Sequence, residues 1–454
     1  MLSRLRSLIS PGASLKDRTL KGGVIALGGF GAAQGLRLIA NLVMTRLLAP
    51  DAFGLMALVL SIEILIGMLS DMGLDASIVR SKKGDDPDFL ATARTMQLAR
   101  AILIALAMVV LAAALPFLSS ASVFPPDSVY ADPRLPLFMS IMAMSVAVTG
   151  FSAMRVALHN RALNLAPVIR LELGAQAIAI IATVGGALAG LGAYALALGA
   201  VVAASAKVLG SHWFLLGPPA RFGFDRAHFD EIFGYGKWLI LASTLGWLSL
   251  RGDQAVFGWL FDRVDYGLYS IAVIWIFTAR NVIEMVQRRV AYPALAELHR
   301  DRAHDLTRVY RQMRLVYEGG CLVLFIAVVL LADVVVKVLY TDDYAEVAHY
   351  LRLLSVSILL APYKLLSSVL LTGGDSRRFT IVAAAPGLAL IALTPLIFNW
   401  RGADAAIVFV ALTPVLAIPF NWKYAGKFVK IDYLRESAMA IAAVAAGLML
   451  LRFA

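Results

Sequence analysis

The sequence is poor in cysteine and in charge, and both shortages limit what the protein can be. Cys321 is the only cysteine among 454 residues, so an intramolecular disulfide and a thiolate metal cluster are excluded. Charged residues make up 16% of the chain, whereas hydrophobic residues make up 60% and the mean hydropathy is +0.79. Soluble domains do not have this composition. The sequence therefore predicts a membrane protein.

The usual motifs of catalysis and nucleotide binding are also missing. The six histidines do not fall at metal-ligand spacing, and the stretch GGVIALGGFG lacks the Gly-Lys-Ser/Thr ending of a phosphate-binding loop. The longest polar stretch, residues 294–314, is too short for a soluble catalytic domain. We therefore predict no catalytic residue, no cofactor and no metal site, and we expect the protein not to be an enzyme.

Long apolar segments separated by short polar turns fill most of the chain. A bilayer core of about 30 Å needs about 20 apolar residues per helix. The basic start, residues 1–21, has no apolar core followed by a small-residue cleavage site, so it predicts a cytoplasmic surface segment and not a cleaved signal peptide. Thirteen spans are predicted, approximately at residues 22–47, 53–75, 98–118, 135–157, 170–189, 192–216, 237–260, 265–291, 315–340, 346–371, 379–398, 404–424 and 436–453.

Basic residues are distributed unequally between the two sides of the predicted spans. If the N-terminus is cytoplasmic, the loops and flanks on that side hold 29 Lys and Arg residues. The opposite loops hold only Arg134, Arg263 and Arg401. The positive-inside rule therefore predicts a multi-pass protein with a cytoplasmic N-terminus. It also accounts for the net charge of +11, so nucleic acid is not a predicted partner.

The two halves of the chain resemble each other at an offset of 213 residues. Six predicted spans fit within this offset, so both halves have the same orientation and an axis along the membrane normal relates them. A cavity between two such lobes is the expected substrate site. The triplet Phe53-Gly54-Leu55 matches Tyr266-Gly267-Leu268; the other matches are Asn41 with Gln254, Asp71 with Glu284 and, one residue out of register, Arg37 with Arg251.

The predicted fold is all-α and polytopic, with two six-helix lobes related by a pseudo-two-fold axis around a central cleft and one additional C-terminal hydrophobic segment. Its predicted parts are a cytoplasmic N-terminal segment (1–21), an N-lobe of spans 1–6 (22–216), a cytoplasmic inter-lobe linker (217–236), a C-lobe of spans 7–12 (237–424) and a C-terminal extension with a candidate thirteenth span (425–454).

Polar residues inside the predicted spans are the candidate substrate-binding residues, because a charge at the bilayer centre costs about 2.5–3.5 kcal/mol on insertion scales. Residues at i, i+3 or i+4 and i+7 share a helix face, which places these residues in polar stripes. Arg37 and Arg251 either line the substrate cavity or form ion pairs between the lobes, and both interpretations are open. The candidates are Gln34, Arg37 and Asn41 on span 1, Trp247, Arg251 and Gln254 on span 7, and Arg280 and Lys364.

Intramembrane carboxylates are candidates for ion coupling or for counter-ions to these cations. Glu63 and Asp71 lie eight residues apart and hence on one face of span 2. Arg280, Glu284 and Arg288 follow one another at one-turn spacing and fit a local ion-pair ladder equally well. The four candidates are Glu63, Asp71, Asp253 and Glu284.

Several stretches resemble a known family. LLAPDAFGLMAL, followed by DMGLDASIVR and a basic loop, is similar to the first two spans of the polysaccharide-transport family, the Wzx-type lipid-linked oligosaccharide flippases. RGDQAVFGWLFDRVDYGLYSIA and VAYPALAEL extend the resemblance into the second half, so that it covers residues 20–426. This family belongs to the multidrug/oligosaccharidyl-lipid/polysaccharide exporter superfamily, which also contains lipid II flippases and cation-coupled drug exporters.

The resemblance implies alternating access in the bacterial inner membrane, with a polyprenyl diphosphate-linked oligosaccharide, a repeat unit of polysaccharide or lipopolysaccharide, moved from the cytoplasmic to the periplasmic leaflet. Arg37 and Arg251 match the positions where related flippases carry cavity arginines, which pair with diphosphate oxygens. The implied partners are the polyprenyl-linked glycan, membrane lipids, and a polysaccharide polymerase with its assembly proteins.

Two other functions remain open from the sequence. An ion-coupled multidrug antiporter of the same superfamily would use the intramembrane carboxylates. A membrane-embedded polysaccharide polymerase or glycosyltransferase would act on the same lipid. The thirteen predicted spans also depart from the twelve or fourteen that are common in the family, so either Glu436 to Phe453 is not a span or a final helix is absent.

Overall fold

In this computed structural model, every regular element in the described part of the chain is helical. The structure describes residues 15–70, 73–74, 77–78, 81, 83–162, 164–287, 291, 294–295, 298, 304–372 and 376–453. The helices are α1 (Leu15–Met44), α2 (Pro50–Leu69), α3 (Pro87–Ser120), α4 (Leu135–Thr149), α5 (Arg155–Arg161), α6 (Leu165–Leu188), α7 (Tyr194–Trp213), α8 (Arg226–Leu260), α9 (Arg263–Val286), α10 (Leu306–Leu339), α11 (Val347–Leu359), α12 (Lys364–Thr372), α13 (Ser376–Arg401), α14 (Ala403–Leu412), α15 (Ile418–Ala425) and α16 (Tyr433–Phe453).

Nine segments of the described chain are long and apolar enough to cross a membrane, so the protein is a multi-pass membrane protein. Large apolar side chains stay exposed along these helices, for example Val323, Leu330 and Val338 on α10, as expected where a helix faces lipid. The total of thirteen spans stays a prediction. The nine are Pro50–Leu69, Pro87–Ser120, Leu165–Leu188, Tyr194–Trp213, Arg263–Met285, Leu306–Leu339, Asp342–Ser367, Ala403–Ala425 and Tyr433–Arg452.

Two segments predicted as continuous helices contain 3₁₀ turns at prolines. The predicted span 346–371 consists of α11, a turn at Ala361–Tyr363 and α12, and the turn contains Pro362. The predicted span 404–424 consists of α14, a turn at Thr413–Ala417 and α15. Proline has no N–H to donate to the preceding turn and its ring crowds that turn, which favours a local change from α to 3₁₀ geometry at these two positions.

Other helices begin well before the apolar segments that predicted them, because polar caps extend them. The side chain of Asp86 accepts a hydrogen bond from the backbone N–H of Asp88 and caps α3 at 3.2 Å. Asp225 accepts from the backbone N–H of His228 at 3.0 Å at the start of α8. This hydrogen bond also holds the pKa of the Asp225 carboxyl below its usual range.

The helices group into two compact units. Unit 1 comprises Met1–Leu48, Ile62–Val123 and Pro133–Ser243, and unit 2 comprises Ala49–Ser61, Phe124–Asp132 and Thr244–Ala454. Helices α2 and α8 each contribute residues to both units. The division into two six-helix lobes and the predicted domain boundaries stay predictions.

Each unit has buried apolar clusters of its own. In unit 1, Phe89 and Met96 of α3 pack with Met154 and Ile232. In unit 2, Tyr310 of α10 packs with Leu365 and Leu366 of α12. A second cluster of unit 2 contains Val356, Ala411 and Ala443, from α11, α14 and α16. The C-terminal helix is therefore part of the core of unit 2.

The two copies of the repeated triplet meet inside unit 2, where α2 crosses α9. Phe53 and Tyr266 are buried on either side of the crossing. A Cβ added at Gly54 would lie 3.2 Å from the backbone nitrogen of Gly267, and one at Gly267 would overlap the carbonyl group of Pro50. Two glycines are thus needed for the backbones to approach this closely.

Candidate functional site

Polar side chains on α1 form the first group, in unit 1. Gln34 and Arg37 lie one turn apart, and the Arg37 guanidinium donates to Gln34 Oε1 at 3.2 Å. The Arg37 side chain is otherwise exposed. Asn41 follows one turn later, and its Oδ1 is buried without a hydrogen-bond partner among the described residues. The predicted stripe therefore exists, with a cation held in place by a neighbouring amide.

Helices α6 and α7 add further polar groups, of which Glu172 and Gln176 were not predicted from the sequence. Gln176 of α6 donates from Nε2 to the carbonyl of Ala33, directly beside Gln34, at 3.3 Å. One turn earlier on α6, Glu172 forms an ion pair with Lys207 of α7 at 3.6 Å. The i, i+4 spacing of Glu172 and Gln176 within an apolar helix was the signal available in the sequence. We call these side chains, with Gln34 and Arg37, the unit 1 polar face.

A second feature of unit 1 is a pocket of about 280 Å³ between α2, α3 and α4. Glu63 lines it, and the Glu63 Oε2 atom is buried with no hydrogen-bond donor within the described ranges. Across the pocket, Arg100 donates to the carbonyl of Gly67 at 2.9 Å and to Ser70 Oγ at 3.3 Å. Arg100 is one of the 29 basic residues predicted in cytoplasmic loops and their flanks, but it lies well inside α3.

The same pocket is bordered by the end of α4. Gln97 of α3 donates from Nε2 to the carbonyl oxygens of Gly150 and Ser152, at 2.9 and 3.0 Å. The last carbonyls of a helix lack intrahelical partners and carry the negative end of the helix dipole. Arg100 therefore satisfies a carbonyl in the last turn of α2, and Gln97 satisfies two carbonyls just after α4. Glu63, which also lines the pocket, has one buried oxygen with no donor among the described residues.

In unit 2, α8 carries the counterpart of the α1 stripe. The Arg251 guanidinium lies over the Phe277 ring of α9, 5.3 Å from its centre, which is within cation–π range. Trp247 is buried and donates from Nε1 to the carbonyl of Ser61 at 3.1 Å. Gln254 is buried too, and its Oε1, like the Asn41 amide oxygen at the matching position of the repeat, has no partner in the part of the chain described.

The carboxylate of Asp253 is held by a tyrosine. Its Oδ2 accepts a hydrogen bond from Tyr269 of α9 at 2.6 Å, and both residues are buried. Burial of a carboxylate is tolerated when its oxygens are hydrogen-bonded. Asp253 is thus a candidate counter-ion with a partner already in place, in contrast to Glu63.

One face of α9 brings together the remaining candidates of unit 2. Phe277, Arg280 and Glu284 follow at helical spacing, so they share this face, which we call the α9 face. Lys364, the first residue of α12, forms an ion pair with Glu284. The other interpretation is an ion-pair ladder through Arg288. Arg288 and the candidate Asp71 both lie outside the described residues. Arg251, Arg280 and Lys364 are therefore gathered along a single helix face, with Glu284 as the anion among them.

Comparison with known sequences identifies the family. A sequence model described as polysaccharide biosynthesis protein matches residues 43–349. The chain belongs to this polysaccharide biosynthesis protein family. A curated relative is the amylovoran biosynthesis protein AmsL of Erwinia amylovora, 25% identical over 141 residues, which are 31% of this chain. The match spans 36% of that relative's length.

Solved structures of the same fold are transporters of the multidrug/oligosaccharidyl-lipid/polysaccharide (MOP) superfamily. The lipid II flippase MurJ, in an inward closed conformation, aligns with a TM-score of 0.65 at 13% identity, over 94% of this chain and 91% of its own. An inward-facing multidrug resistance MATE transporter aligns with a TM-score of 0.64 at 13% identity, over 96% and 98%. The all-helical fold of this family member is therefore that of the MOP superfamily, as the sequence resemblance implied.

The side chains gathered here are suited to binding anionic and hydroxyl-bearing groups. Arg and Lys side chains donate strong hydrogen bonds to phosphate oxygens, and amides and hydroxyls bind sugars. Within the described chain, no three His, Cys, Asp or Glu side chains come close enough to hold a metal ion. Within the described chain, the unit 1 polar face combines cations with amides, and the α9 face gathers three cations around Glu284.

Proposed function

We propose that the protein is a flippase that moves a polyprenyl diphosphate-linked oligosaccharide from the cytoplasmic to the periplasmic leaflet of the bacterial inner membrane. The family match supports a role in polysaccharide biosynthesis, and the MOP fold supports transport. The observation that carries the substrate class is the grouping of Arg251, Arg280 and Lys364 along one face of α9, a helix that is long and apolar enough to span.

Charge complementarity favours a diphosphate as the group bound there. Three cations and the single carboxylate of Glu284 leave the α9 face with two net positive charges. A diphosphate diester carries two negative charges and offers oxygens to both Arg and Lys donors. An organic cation would be repelled by the same face, since like charges interact strongly where the dielectric constant is low. This is a physical reason to prefer the flippase to the multidrug antiporter.

The length of the α9 face fits a diphosphate together with its first sugar. Phe277 and Glu284 lie seven residues apart, which corresponds to about 10 Å along the helix. The side chains of Arg251 and Lys364 reach the two ends of this stretch. One phosphate would bind at the Arg251 end of the face, and hydroxyls of the first sugar would bind at the Glu284 end.

The test is flipping of a polyprenyl diphosphate-linked glycan in proteoliposomes. We expect Arg251→Ala and Arg37→Ala to reduce the initial rate about tenfold or more, the loss that follows from removing one charged hydrogen bond. Arg226→Ala is the matched control, because Arg226 is exposed and pairs only with Asp230 at 3.4 Å in the described chain. Normal flipping rates for both Arg251→Ala and Arg37→Ala would refute the proposed diphosphate site. Transport of organic cations without glycan lipid would favour the antiporter, and glycan elongation the enzyme.

A further inference from the structure

A buried group of charges links the C-terminal helix to the start of α10. We call it the Glu436 cluster; its members are Tyr310, Arg314 and Glu318 of α10 and Arg435 and Glu436 of α16. Arg314 is 2% exposed and Glu436 5% exposed, so both charges lie in the protein interior. A buried charge is tolerated only when it is paired and hydrogen-bonded. The site proposed above uses none of these residues.

The contacts of the cluster form a connected network of ion pairs and hydrogen bonds, although Arg314 Nη1 and Nη2 and Glu436 Oε2 make no hydrogen bond of good geometry within the described chain. Arg314 donates from Nε to Glu318 Oε1 at 2.6 Å, and its Nη2 lies 3.0 Å from Glu436 Oε2. Arg435 donates to Glu318 Oε2 at 3.0 Å, and the Tyr310 hydroxyl donates to Glu436 Oε1 at 2.9 Å. Two arginines and two glutamates cancel in charge. Each carboxylate thus has two partners, so the relative position of α10 and α16 is strongly determined.

This cluster holds a joint in the middle of another segment. The joint is the 3₁₀ turn Ala361–Tyr363 between α11 and α12, where Pro362 interrupts the regular helix. The Arg314 guanidinium stacks on the Tyr363 ring at 4.1 Å, and the Tyr363 hydroxyl donates to the backbone carbonyl of Glu436. Short 3₁₀ stretches within a helix often mark hinges. The joint is therefore fixed from one side by α10 and α16.

The residue after the joint carries the cation of the α9 face. Tyr363 ends the 3₁₀ turn and Lys364 begins α12, and the lysine pairs with Glu284. Successive residues in a helix point about 100° apart. Tyr363 therefore contacts the Glu436 cluster while its neighbour contacts α9. A shift of the cluster would turn the joint and move Lys364 relative to Glu284.

We propose that the Glu436 cluster positions Lys364 on the α9 face, so that the C-terminal helix controls a substrate-binding cation that it does not touch. The role assigned to Lys364 rests on the proposed function, but its positioning by Glu436 does not. Glu436, Arg314 and Tyr363 are positioning residues. Replacing Glu436 by glutamine leaves Arg314 short of one counter-charge and gives the Tyr310 hydroxyl a neutral, weaker acceptor.

The first test does not depend on transport. Purified protein in lipid nanodiscs is treated with an amine-reactive reagent, and the labelling rate of each lysine is followed by mass spectrometry. In the wild type, Lys364 is ion-paired and should react slowly. We expect Glu436→Gln to raise the Lys364 rate about threefold or more, as for residues coupled through contact. Lys423 provides an internal reference, and Tyr363→Phe, which keeps the ring but loses the hydroxyl, should give a smaller rise.

The control is Asp404→Asn, which breaks the ion pair of Asp404 with His349 at 2.9 Å. His349 lies twelve residues before the joint, about 18 Å along a helix, so Lys364 should react as in the wild type. Glu436→Asp retains the charge and should restore a slow rate at least partly. An unchanged Lys364 rate in folded Glu436→Gln, or an equal rise in Asp404→Asn, would overturn the proposal. If Glu436→Gln does not fold, Tyr363→Phe and Glu436→Asp decide the result in the same assay.

The second test is a double-mutant cycle in the flipping assay. If Glu436 acts through Lys364, Glu436→Gln should lower the flipping rate about tenfold when it is introduced into the wild type. The same substitution should change the flipping rate little when it is introduced into the Lys364→Met variant. Equal effects in both backgrounds would show a merely structural role and contradict the positioning proposal. A wild type that flips no glycan lipid would refute the proposed function, and the labelling result would still decide the positioning.

Discussion

Several charged side chains inside the described apolar helices have identified partners. Arg100 is satisfied by the carbonyls at the end of α2, whereas Lys207 and Lys364 are satisfied by the carboxylates of Glu172 and Glu284. Glu63 differs from all of these, because one of its oxygens is buried and lacks a donor in the described chain. An unsatisfied carboxylate oxygen in this position costs free energy unless a proton or cation binds it.

For the coupling of transport to an ion gradient, we therefore predict a role for Glu63. Glu63→Gln should abolish the acceleration of flipping by an imposed proton or sodium gradient and leave slow, gradient-free flipping unchanged. The free energy of unfolding should stay the same or rise by about 1 kcal/mol, since the amide is neutral. The measurement is the flipping rate in proteoliposomes with and without the gradient, with Asp404→Asn as a carboxylate control. An undiminished response to the gradient in Glu63→Gln would exclude this role.

At the scale of the element, contacts between helices decide what the local sequence pattern leaves open. The one-turn spacing of Gln34 and Arg37 predicted that they share a face, and the structure confirms that they are in contact. The spacing around Glu284 was equally suggestive, but the partner observed for Glu284 is Lys364, eighty residues away. Helical periodicity identifies a face and does not identify the helix that packs on it, because rotation and register are set by long-range packing.

The crossing of α2 and α9 gives a prediction at this scale. Gly267→Ala should lower the free energy of unfolding by about 1–3 kcal/mol, since the added methyl group overlaps the backbone of Pro50, which cannot rotate away as a side chain does. Thermal unfolding in detergent measures the change. Gly185→Ala is the control, because a Cβ at Gly185 meets nothing within 4 Å, and there the gain in helix propensity should leave stability equal or slightly higher. Equal stability of Gly267→Ala and wild type would contradict the close crossing.

For the whole molecule, the repeat and the distribution of basic residues carry most of the predicted organisation. The two glycine-containing triplets pack against each other in unit 2, and their equivalence as positions of a repeat stays a prediction. The structure describes two compact units, and α2 and α8 each contribute to both. Dividing the chain at a polar linker is therefore different from dividing it into compact units, because residues of one helix can belong to two units.

The membrane orientation is the prediction that belongs to the whole molecule. In a Cys321→Ala background, a single cysteine introduced by Asp127→Cys should react with a membrane-impermeant maleimide in cells whose outer membrane has been made permeable. One introduced by Arg226→Cys should react only after the inner membrane is opened. Both positions are exposed, Asp127 in the turn after α3 and Arg226 at the first residue of α8, and the positive-inside rule assigns them to opposite sides. The reverse labelling pattern would show that the N-terminus is periplasmic.

The sequence by itself determined the membrane environment, the helical class and the polar stripes of this protein. These follow from composition and from periodicity, which act over a few turns of one helix. Only the tertiary structure decided that Arg100 lies in the pocket of Glu63, that Lys364 reaches Glu284, and that Glu436 holds the joint before Lys364. The physical reason is that these contacts join helices far apart in sequence, and their formation depends on how whole helices rotate and pack around one another.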